Sequence, residues 1–326
     1  MHPGLNLFSV FFFKYLLIFA NQFYNVQSEY LRREHTLTSP YTGSYWDILG
    51  QSVIMTDRVR LTRDEQSQQG GLWNIQPIVY HNWEVHIQFA IHGQGENGLH
   101  GDGFAFWYAK DPLVLGDVFG YKNHFHGLAV LLDTYNNHNG AHNHQHPYIS
   151  AMINNGTLAY DHDRDGTHTE LAGCSVTARN VNHETFIAVR YLDNKLSVST
   201  DIDNKQNWEE CFVVEGVHLP TGYYLGLTAA TGDLADNHDI ISVKFYELES
   251  QLKQDDDYSK VEPSASIFSP PRDHVDDPKP GFFSGSWSGL KLLLIIVLLC
   301  VAVGVVVLVG FLVFQRHQDN SRKRFY

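Results

Sequence analysis

Residues 127–137, with the sequence GLAVLLDTYNN, contain both a core strand and the first candidate ligands of a binding site. The apolar half, residues 128–132, shows no polar alternation, which is typical of a strand that is buried on both faces. The polar half places oxygen donors at every second position, at Asp133, Tyr135 and Asn137. If the strand continued, these three residues would point to one side of the sheet. The end of this strand is therefore a candidate site for a cation that prefers oxygen ligands.

Two further segments supply acidic residues that could complete such a site. Asp102 comes directly before a second apolar segment, residues 104–108, and the turn-rich loop of residues 161–166, DHDRDG, contains Asp165. Calcium binds six to eight oxygens from carboxylates, amides and backbone carbonyls, and the Tyr135 carbonyl is one candidate. Any one of these polar residues could simply form a turn. The occurrence of suitable donors in three separate segments nevertheless favours a calcium site.

Composition and patterning predict an all-β protein. The chain has 326 residues, 43% of them hydrophobic, and a net charge of −13. The length suits one large all-β domain or two smaller domains, and the acidity argues against a nucleic-acid partner. Short strands separated by turn residues recur, whereas no long stretch has a convincing 3.6-residue period. This pattern favours a β-sandwich or jelly roll.

Several of these strands can be assigned from local pattern. Residues 84–92 alternate strictly between polar and apolar, which predicts a strand with one buried face. Residues 186–191 and 195–199 flank the turn residues Asp193 and Asn194, which predicts a hairpin. Residues 223–229 and 240–248 are further predicted strands.

Composition also divides the chain into five segments. Residues 1–28 resemble a signal peptide, the alternative being a second membrane anchor. Residues 29–252 form one predicted globular domain, and residues 253–288 an acidic, Pro-containing stalk. The predicted transmembrane helix, residues 289–314, contains the uninterrupted apolar run 292–314, which is long enough to span a bilayer. The basic tail, residues 315–326, is then cytoplasmic, so the protein is predicted to be a single-pass type I membrane protein.

Two covalent modifications are expected in the globular domain. Cys174 and Cys211 are the only cysteines outside the predicted membrane segment, so we expect them to form a disulfide; two free buried thiols are the alternative. Asn155 begins the only N-glycosylation sequon and follows a predicted strand.

Specific motifs resemble those of the animal L-type lectins, relatives of the legume lectins that act in the early secretory pathway. They are HGDGFAFWY (100–108), FHGL (125–128), LDTY (132–135), LAGC (171–174), LPTGYY (219–224) and GDLADNHDI (232–240). The resemblance covers nearly the whole chain. It implies a concave, legume-lectin-like β-sandwich that binds high-mannose N-glycans through a site organised by Ca²⁺.

The same resemblance assigns roles to individual residues. The implied calcium ligands are Asp133, the Tyr135 backbone oxygen, Asn137 and Asp165. The implied carbohydrate-binding residues are Ser67, Asp102, Tyr135, Asn137, His162, Gly232, Asp233 and Leu234. One departure is visible, because the family has a proline where this chain has Asn136, and the loop of residues 138–146 also differs.

Four histidines crowd that loop, at positions 138, 142, 144 and 146. A transition-metal site and a pH sensor are two functional interpretations. The favoured interpretation is a polar, solvated loop.

The resemblance further implies a cargo receptor or quality-control lectin in ER–Golgi transport, with cargo glycoproteins, the lipid bilayer and vesicle coat proteins as partners. The tail residues Arg322, Lys323, Arg324, Phe325 and Tyr326 resemble sorting signals of this family, although the basic triplet could equally orient the membrane helix. The alternative function is a lectin-fold membrane protein that binds protein cargo without recognising glycan. An enzyme is not expected, because the chain lacks a Glu-x-Asp-x-Glu strand of the kind that glycoside hydrolases with this architecture use.

Overall fold

The computed structural model describes residues 29–42, 45–95, 100–112, 114–137, 144–203, 205–249 and 257–266, together with single positions and short runs between 298 and 312. Its strands in chain order are β1 (Glu29–Leu31), β2 (Trp46–Gly50), β3 (Val53–Ile54), β4 (Val59–Thr62), β5 (Gln69–Asn74), β6 (Trp83–His92), β7 (Gly103–Ala109), β8 (His126–Asp133), β9 (Tyr148–Asn155), β10 (Ala172–Ser175), β11 (Thr185–Leu192), β12 (Lys195–Asp201), β13 (Glu209–Glu215), β14 (Val217–His218), β15 (Tyr224–Ala230), β16 (Asn237–Leu248) and β17 (Ser264–Ala265). Short 3₁₀ helices span Arg33–His35, His162–Arg164 and Tyr258–Lys260.

Most of these strands form two antiparallel sheets. The back sheet has the order β13-β12-β11-β6-β16-β4-β3, with β1 also paired to β16. The front sheet has the order β10-β9-β8-β7-β15-β5-β2. The all-β sandwich predicted from the sequence is therefore confirmed.

The core lies between the two sheets and follows the period-2 alternation of their strands. In β6, Val85, Ile87 and Phe89 are buried while the side chains between them are partly exposed, as predicted for a strand with one buried face. The hairpin prediction is also confirmed, because Leu192 pairs with Lys195. Asp193 and Asn194 form the turn between them, with φ values of 49° and 63°.

The front sheet is buried on both faces, which explains the continuous apolar runs of β7 and β8. Phe104, Phe106, Leu128 and Val130 face the core between the sheets. The alternate side chains lie on the other face, hereafter the outer face of the front sheet. There they pack against a second cluster that contains Phe119, Tyr121 and Phe125, from the segment between β7 and β8. The outer face of this sheet therefore has an apolar middle that separates its two ends.

A disulfide joins the edges of the two sheets. Cys174 in β10 is bonded to Cys211 in β13, with 5.5 Å between their Cα atoms. These strands are at the edges of the front and back sheets, respectively. The pairing expected from the sequence is present in the structure.

Part of the predicted stalk folds against the domain. Residues 257–266 are described, and β17 within them pairs with β14 through Val217–Ala265 and His218–Ser264. The Tyr258 ring stacks on His81, with 3.7 Å between ring centroids. The expectation of an extended chain does not hold for these ten residues, because an aromatic contact and strand pairing hold them in place. The rest of the predicted stalk lies outside the described residues.

Residues 275–326 form a separate unit. Helical backbone is described at residues 303–305 and 307–312. Within the positions that the structure describes, no helix has the length and apolar character needed to cross a membrane. The membrane span therefore stays a prediction. The signal peptide and the five tail residues of the predicted sorting signal also lie outside the described residues.

Candidate functional site

The end of β8 forms the centre of the candidate site. Asp133 is the last residue of β8, and its side chain lies on the outer face of the front sheet, as do those of Leu131 and Ala129. The chain then turns, and the Tyr135 backbone N–H donates to Asp133 Oδ1 at 2.9 Å. The donors at positions 133, 135 and 137 therefore do not lie on one face of a continuing strand. Instead, the chain forms a turn in which the Asp133 carboxylate accepts from the Tyr135 N–H, and this turn keeps the three residues near one another.

The acidic loop after β9 supplies the second carboxylate. Asp161 caps the 3₁₀ helix His162–Arg164 by accepting from the Asp163 N–H, and Asp165 ends it in a left-handed conformation. Gly166 follows with φ +68°, and a Cβ atom there would lie 2.3 Å from the Tyr160 ring. A side chain at position 166 would therefore displace the loop. The Asn137 N–H donates to Asp165 Oδ1 at 3.0 Å and connects the two segments directly.

These segments bring Asp133, Asp165 and His146 together. One potential ligand atom from each lies within 4.8 Å of the other two. His146 Nε2 is 3.8 Å from Asp133 Oδ2 and 3.9 Å from Asp165 Oδ2. Burial raises the pKa of Asp133 well above its usual value, and the nearby carboxylates Asp165 and Asp102 add to this effect. The site therefore concentrates negative charge that a cation would neutralise.

The donor set fits a divalent cation. Two nearly buried carboxylates, with Tyr135 and Asn137 in the adjoining turn, offer the oxygen ligands that Ca²⁺ prefers. His146 Nε2 has no hydrogen-bond partner among the described residues, although it faces both carboxylates. Burial lowers the pKa of His146, and the Asp165 carboxylate opposes this effect. A neutral imidazole nitrogen is a ligand for transition metals more than for Ca²⁺. The oxygen atoms therefore fit calcium, with His146 beside them.

The position of His146 corrects the interpretation of the histidine loop. The side chains of His144 and His146 are only 9% and 5% exposed, so this part of the loop is not solvated. His144 lies 3.5 Å from Glu170 and contacts the Tyr148 ring. His138 and His142 lie outside the described residues. The alternation in His144-Gln145-His146, directly before β9, is a local signal that both rings point to the same side.

Asp102 lies near the cluster of Asp133, His146 and Asp165 and connects it to a third loop. Its backbone carbonyl accepts from the Thr134 N–H at 2.8 Å, and its own N–H donates to Ala230 at 3.2 Å. Burial raises the pKa of the Asp102 carboxyl, while His162 and a hydrogen bond from the Gly232 backbone oppose the shift. The carboxylate therefore lies between the end of β8 and the start of the Gly232-Asp233-Leu234 loop.

This loop is attached to the domain at several points. The Ser67 N–H donates to the Gly232 carbonyl at 3.0 Å, and Gln66 Nε2 donates to the Asp233 carbonyl at 2.8 Å. Next to the loop, the fully buried Asp236 accepts two hydrogen bonds of 2.8 Å from Arg179. A Cβ atom at position 101 would lie 3.4 Å from that of Tyr135 and 3.7 Å from that of Leu234. The loop is therefore held against the turn that follows Asp133.

His162 also lies near Asp102, and its proximity lowers the pKa of the Asp102 carboxyl. Its Nε2 atom donates to the Asp117 carbonyl at 2.8 Å, which leaves Nδ1 as the acceptor nitrogen. Its ring packs edge-on against Tyr160, with centroids 4.8 Å apart, and lies 5.8 Å from Phe119. The second apolar cluster therefore orients the imidazole.

The structure thus gathers the predicted site residues at one end of the front sheet. The set comprises Ser67, Asp102, Asp133, Tyr135, Asn137, His162, Asp165, Gly232, Asp233 and Leu234. Sequence reasoning did not place His146 in this set, nor Tyr160, whose ring contacts His162. Asn155 is elsewhere, exposed at the far end of β9, where Thr157 Oγ1 donates to its side chain.

A carboxylate cluster at one end of a sheet, with a backbone loop beside it, is an arrangement that binds polar ligands such as sugars. A model of the legume-like lectin family matches residues 28–255. The chain belongs to the legume-like lectin family. Lectins bind carbohydrate without transforming it, so this protein is not an enzyme.

Individual relatives are similar over most of the chain. Vesicular integral-membrane protein VIP36 of Homo sapiens is 48% identical over 310 residues, which cover 92% of this chain and 86% of that protein. Human VIP36-like protein is 43% identical over 304 residues, covering 91% and 86%. The crystal structure of the VIP36 luminal domain in its Ca²⁺- and mannose-bound form matches with a TM-score of 0.71 and 49% identity, over 73% of this chain and 99% of that one.

Proposed function

We propose that this protein is a calcium-dependent lectin that binds high-mannose N-glycans on glycoproteins. The observation that carries the proposal is the convergence of Asp133, Asp165 and Asp102 from three segments at one end of the front sheet. Crystal structures of the similar protein VIP36 contain Ca²⁺ with mannose and with Man3GlcNAc. This likeness supports the same ligand class for this chain.

Each side chain at the site has a chemical role in the proposal. Bound Ca²⁺ would supply the positive charge that keeps Asp133, Asp165 and Asn137 in one arrangement. Asp102 and His162 Nδ1 would accept hydrogen bonds from sugar hydroxyls, and the backbone of residues 232–234 would donate or accept further ones. The Tyr135 ring would contact the apolar face of the pyranose. Because these groups are held by the surrounding structure, little ordering would be required on binding.

A glycan array tests this function. The full chain in detergent should bind oligomannose glycans with calcium present and lose this binding in EDTA. Complex glycans without terminal mannose provide the control. Binding to oligomannose that is equally strong in EDTA would contradict the calcium model. Absence of any glycan binding, together with capture of unglycosylated cargo, would favour the alternative of a lectin-fold protein that binds protein cargo.

We further propose that the protein acts as a cargo receptor or quality-control lectin between the ER and the Golgi, as a type I membrane protein. The names of VIP36 and ERGIC-53, the latter 32% identical over 68% of this chain, place these relatives in vesicles and membranes of the early secretory pathway. The terminal Phe325-Tyr326 pair would contact vesicle coat proteins. Replacing both with alanine should slow ER exit of the full chain, whereas Asp319→Ala in the same tail should not. Unchanged exit would remove the coat-binding role.

A further inference from the structure

The candidate cation site contains one donor that calcium binding does not use. His146 Nε2 lies 3.8 Å from Asp133 Oδ2 and 3.9 Å from Asp165 Oδ2, and one ligand atom from each of the three residues lies within 4.8 Å of the other two. Calcium takes oxygen ligands, whereas imidazole nitrogen suits zinc, copper, iron and nickel. The combination of one imidazole with two carboxylates is therefore the donor set of a transition-metal site.

The tautomer of His146 directs a nitrogen lone pair at the two carboxylates. Its Nδ1 atom lies 3.1 Å from the His144 carbonyl oxygen. A carbonyl can only accept a hydrogen bond, so Nδ1 carries the proton of the neutral ring and Nε2 carries the lone pair. Metal-binding histidines typically hold their second ring nitrogen in this way, through a hydrogen bond to a backbone carbonyl or a carboxylate.

Neither a hydrogen bond nor solvent satisfies this lone pair. The distances from Nε2 to the carboxylate oxygens exceed the range of about 2.7–3.2 Å for an N–H···O hydrogen bond, and Nε2 has no other partner among the described residues. The His146 side chain is 5% exposed, so water is largely excluded from it. A buried lone pair that faces two carboxylates is unfavourable by itself and becomes favourable when a cation lies between the three groups.

Neighbouring segments hold the imidazole in this position. Asn136 Nδ2 donates at 3.4 Å to the His144 carbonyl, the same oxygen that accepts from His146 Nδ1. On the other side of His146, the Pro147 carbonyl accepts from the Val176 N–H at 2.9 Å. The ring is therefore fixed from both directions of the chain, as a preorganised metal ligand requires.

The spacing of the three ligand atoms suits a small ion. In a tetrahedral zinc site, ligands about 2.1 Å from the ion lie about 3.4 Å apart, so the observed 3.8 and 3.9 Å need to shorten by about half an ångström. Small rotations of the side chains can supply this change. An ion at this point lies between the ligand atoms and needs no open cavity. The Asp133 side chain is 12% exposed, which gives access from solvent and room for a water molecule as fourth ligand.

We propose that Asp133, Asp165 and His146 bind a divalent transition-metal ion, represented by Zn²⁺, through one oxygen of each carboxylate and His146 Nε2. The inference rests on the cation site of the proposed lectin and adds a second class of ion to it. Because Zn²⁺ and Ca²⁺ share the two carboxylates, only one of them binds at a time. The transition-metal interpretation of the histidine loop is thereby assigned to a single described residue.

Titration with Zn²⁺ tests the proposal. The untagged full chain in detergent is titrated against a chromophoric chelator, with and without Ca²⁺. His146→Gln should raise the Zn²⁺ dissociation constant at least tenfold, because even the loss of a hydrogen bond to a metal ligand weakens binding about 10- to 100-fold. For the parent, Ca²⁺ at 100 times its dissociation constant should raise the apparent Zn²⁺ dissociation constant about a hundredfold.

Two matched measurements separate a ligand from a residue that only supports the fold. His124→Gln, which changes an exposed histidine between β7 and β8, should leave Zn²⁺ binding unaltered. His146→Gln should keep the rise in melting temperature that Ca²⁺ produces, since the proposed calcium ligands are all oxygens. The proposal is overturned if Zn²⁺ binds the parent and His146→Gln equally. It is also overturned if Zn²⁺ affinity is unaffected by Ca²⁺ concentrations that stabilise the parent.

The parent also provides a readout that needs no variant. Pulsed EPR of bound Cu²⁺ should show coupling to an imidazole nitrogen, and Ca²⁺ should remove that signal. A Ca²⁺-sensitive Cu²⁺ signal without nitrogen coupling would contradict a role of His146 as a ligand. Calcium-dependent oligomannose binding is measured on the same samples. Its absence, with His146-dependent Zn²⁺ binding intact, would contradict the lectin function and leave the transition-metal site standing.

Discussion

Asp133 illustrates how a single residue can be costly to the fold and useful to function. The residue is 9% exposed and its carboxylate lies near Asp165, and the raised pKa of Asp133 reflects the cost of burying this charge. The backbone N–H of Tyr135 offsets part of that cost by donating to the carboxylate. A bound cation would offset more of it, so the residue stabilises the calcium-bound state rather than the metal-free state.

We therefore predict opposite effects of Asp133→Asn with and without metal. In EDTA the variant should melt above the parent, by about 2–4 °C for each kcal/mol of relieved repulsion. With calcium at 100 times its dissociation constant, the parent should gain about 2.7 kcal/mol of stability and the variant should not. Thermal unfolding in both buffers measures this. Asp102→Asn is the matched control, which should keep the calcium-induced shift; a variant at position 133 that also kept it would argue against Asp133 as a ligand.

His238 is a buried histidine outside the binding site. It is fully buried in β16, and its Nδ1 atom is 2.7 Å from Thr62 Oγ1. Burial lowers the pKa of His238 to about 3, with Asp239 opposing the shift. The usual histidine pKa in an unfolded chain is about 6.5. The unfolded state therefore binds a proton first as the pH falls, so stability is complete above about pH 6.5 and declines below it.

This difference predicts an acid sensitivity that can be assigned to one side chain. Between pH 7.5 and 5.5, His238 should remove about 1.4 kcal/mol of unfolding free energy. Urea unfolding at both pH values should show that acidification lowers the unfolding free energy of His238→Gln by about 1.4 kcal/mol less than that of the parent. The exposed His124, changed to glutamine, should leave the pH dependence unaltered. Equal losses in parent and His238→Gln would contradict the assignment.

At the scale of elements, the segment of residues 257–266 adds a short strand and a 3₁₀ helix to the domain. Ser266 donates to the Gly216 carbonyl at 2.8 Å, and Thr221 donates to the Tyr258 carbonyl at 3.3 Å. Tyr258 stacks on His81, whose pKa is lowered by burial. These contacts hold the C-terminal end of the domain against β14. Since few of them are buried, the segment should open locally more easily than the sheets do.

Tyr258→Ala should increase that local opening. An aromatic pair contributes about 0.5–1.5 kcal/mol, so the Ser266 and Thr221 amides should exchange about two- to tenfold faster. Hydrogen exchange of the full chain measures this, with amides in β6 and β16 as internal references that should not change. Lys260→Ala, an exposed neighbour in the same 3₁₀ helix, is the control. Equal acceleration in both variants would show that the stack does not hold the segment.

At the scale of the whole molecule, the disulfide connects the edges of two sheets that otherwise meet through their core. Cys174 and Cys211 are separated by 37 residues in the chain. Closing a loop of this length stabilises the fold by about 4 kcal/mol in the chain-entropy model. Because the bond joins β10 to β13, its loss should lower the stability of the whole sandwich.

Cys174→Ser should therefore lower the free energy of unfolding by about 4 kcal/mol, which corresponds to roughly 10 °C in the melting temperature. Urea and thermal unfolding followed by tryptophan fluorescence provide the measurement. Cys300→Ser, in the predicted transmembrane helix, is the matched control and should have no effect. If a reductant lowers the stability of the parent by the same amount as Cys174→Ser does, the effect belongs to the disulfide bond. If the reductant has a smaller effect than the substitution, the loss belongs to packing.

The amino-acid sequence by itself determined those features that depend on local pattern. Strands are identified by the apolar runs of β7 and β8, by the alternation of β6 and by the turn residues Asp193 and Asn194 between two strands. Neighbouring residues are enough for this, because their pattern shows whether one or both faces of a strand are buried. The same holds for the candidate carboxylates, since a strand end and an Asp-rich loop are recognisable without coordinates. Specific motifs then sufficed to indicate the lectin family.

Only the tertiary structure decided which of these segments meet. The turn after Asp133, the approach of His146 and Asp165 to one point, and the docking of Tyr258 on His81 involve residues from separate elements. Periodicity carries no information about such distances, because they depend on how the sheets twist and which loops cover their ends. For the same reason the strand alternation expected at Tyr135 and Asn137 and the solvated loop expected at His144 and His146 were wrong. Burial of these groups follows from packing between segments, which no single stretch of the chain contains.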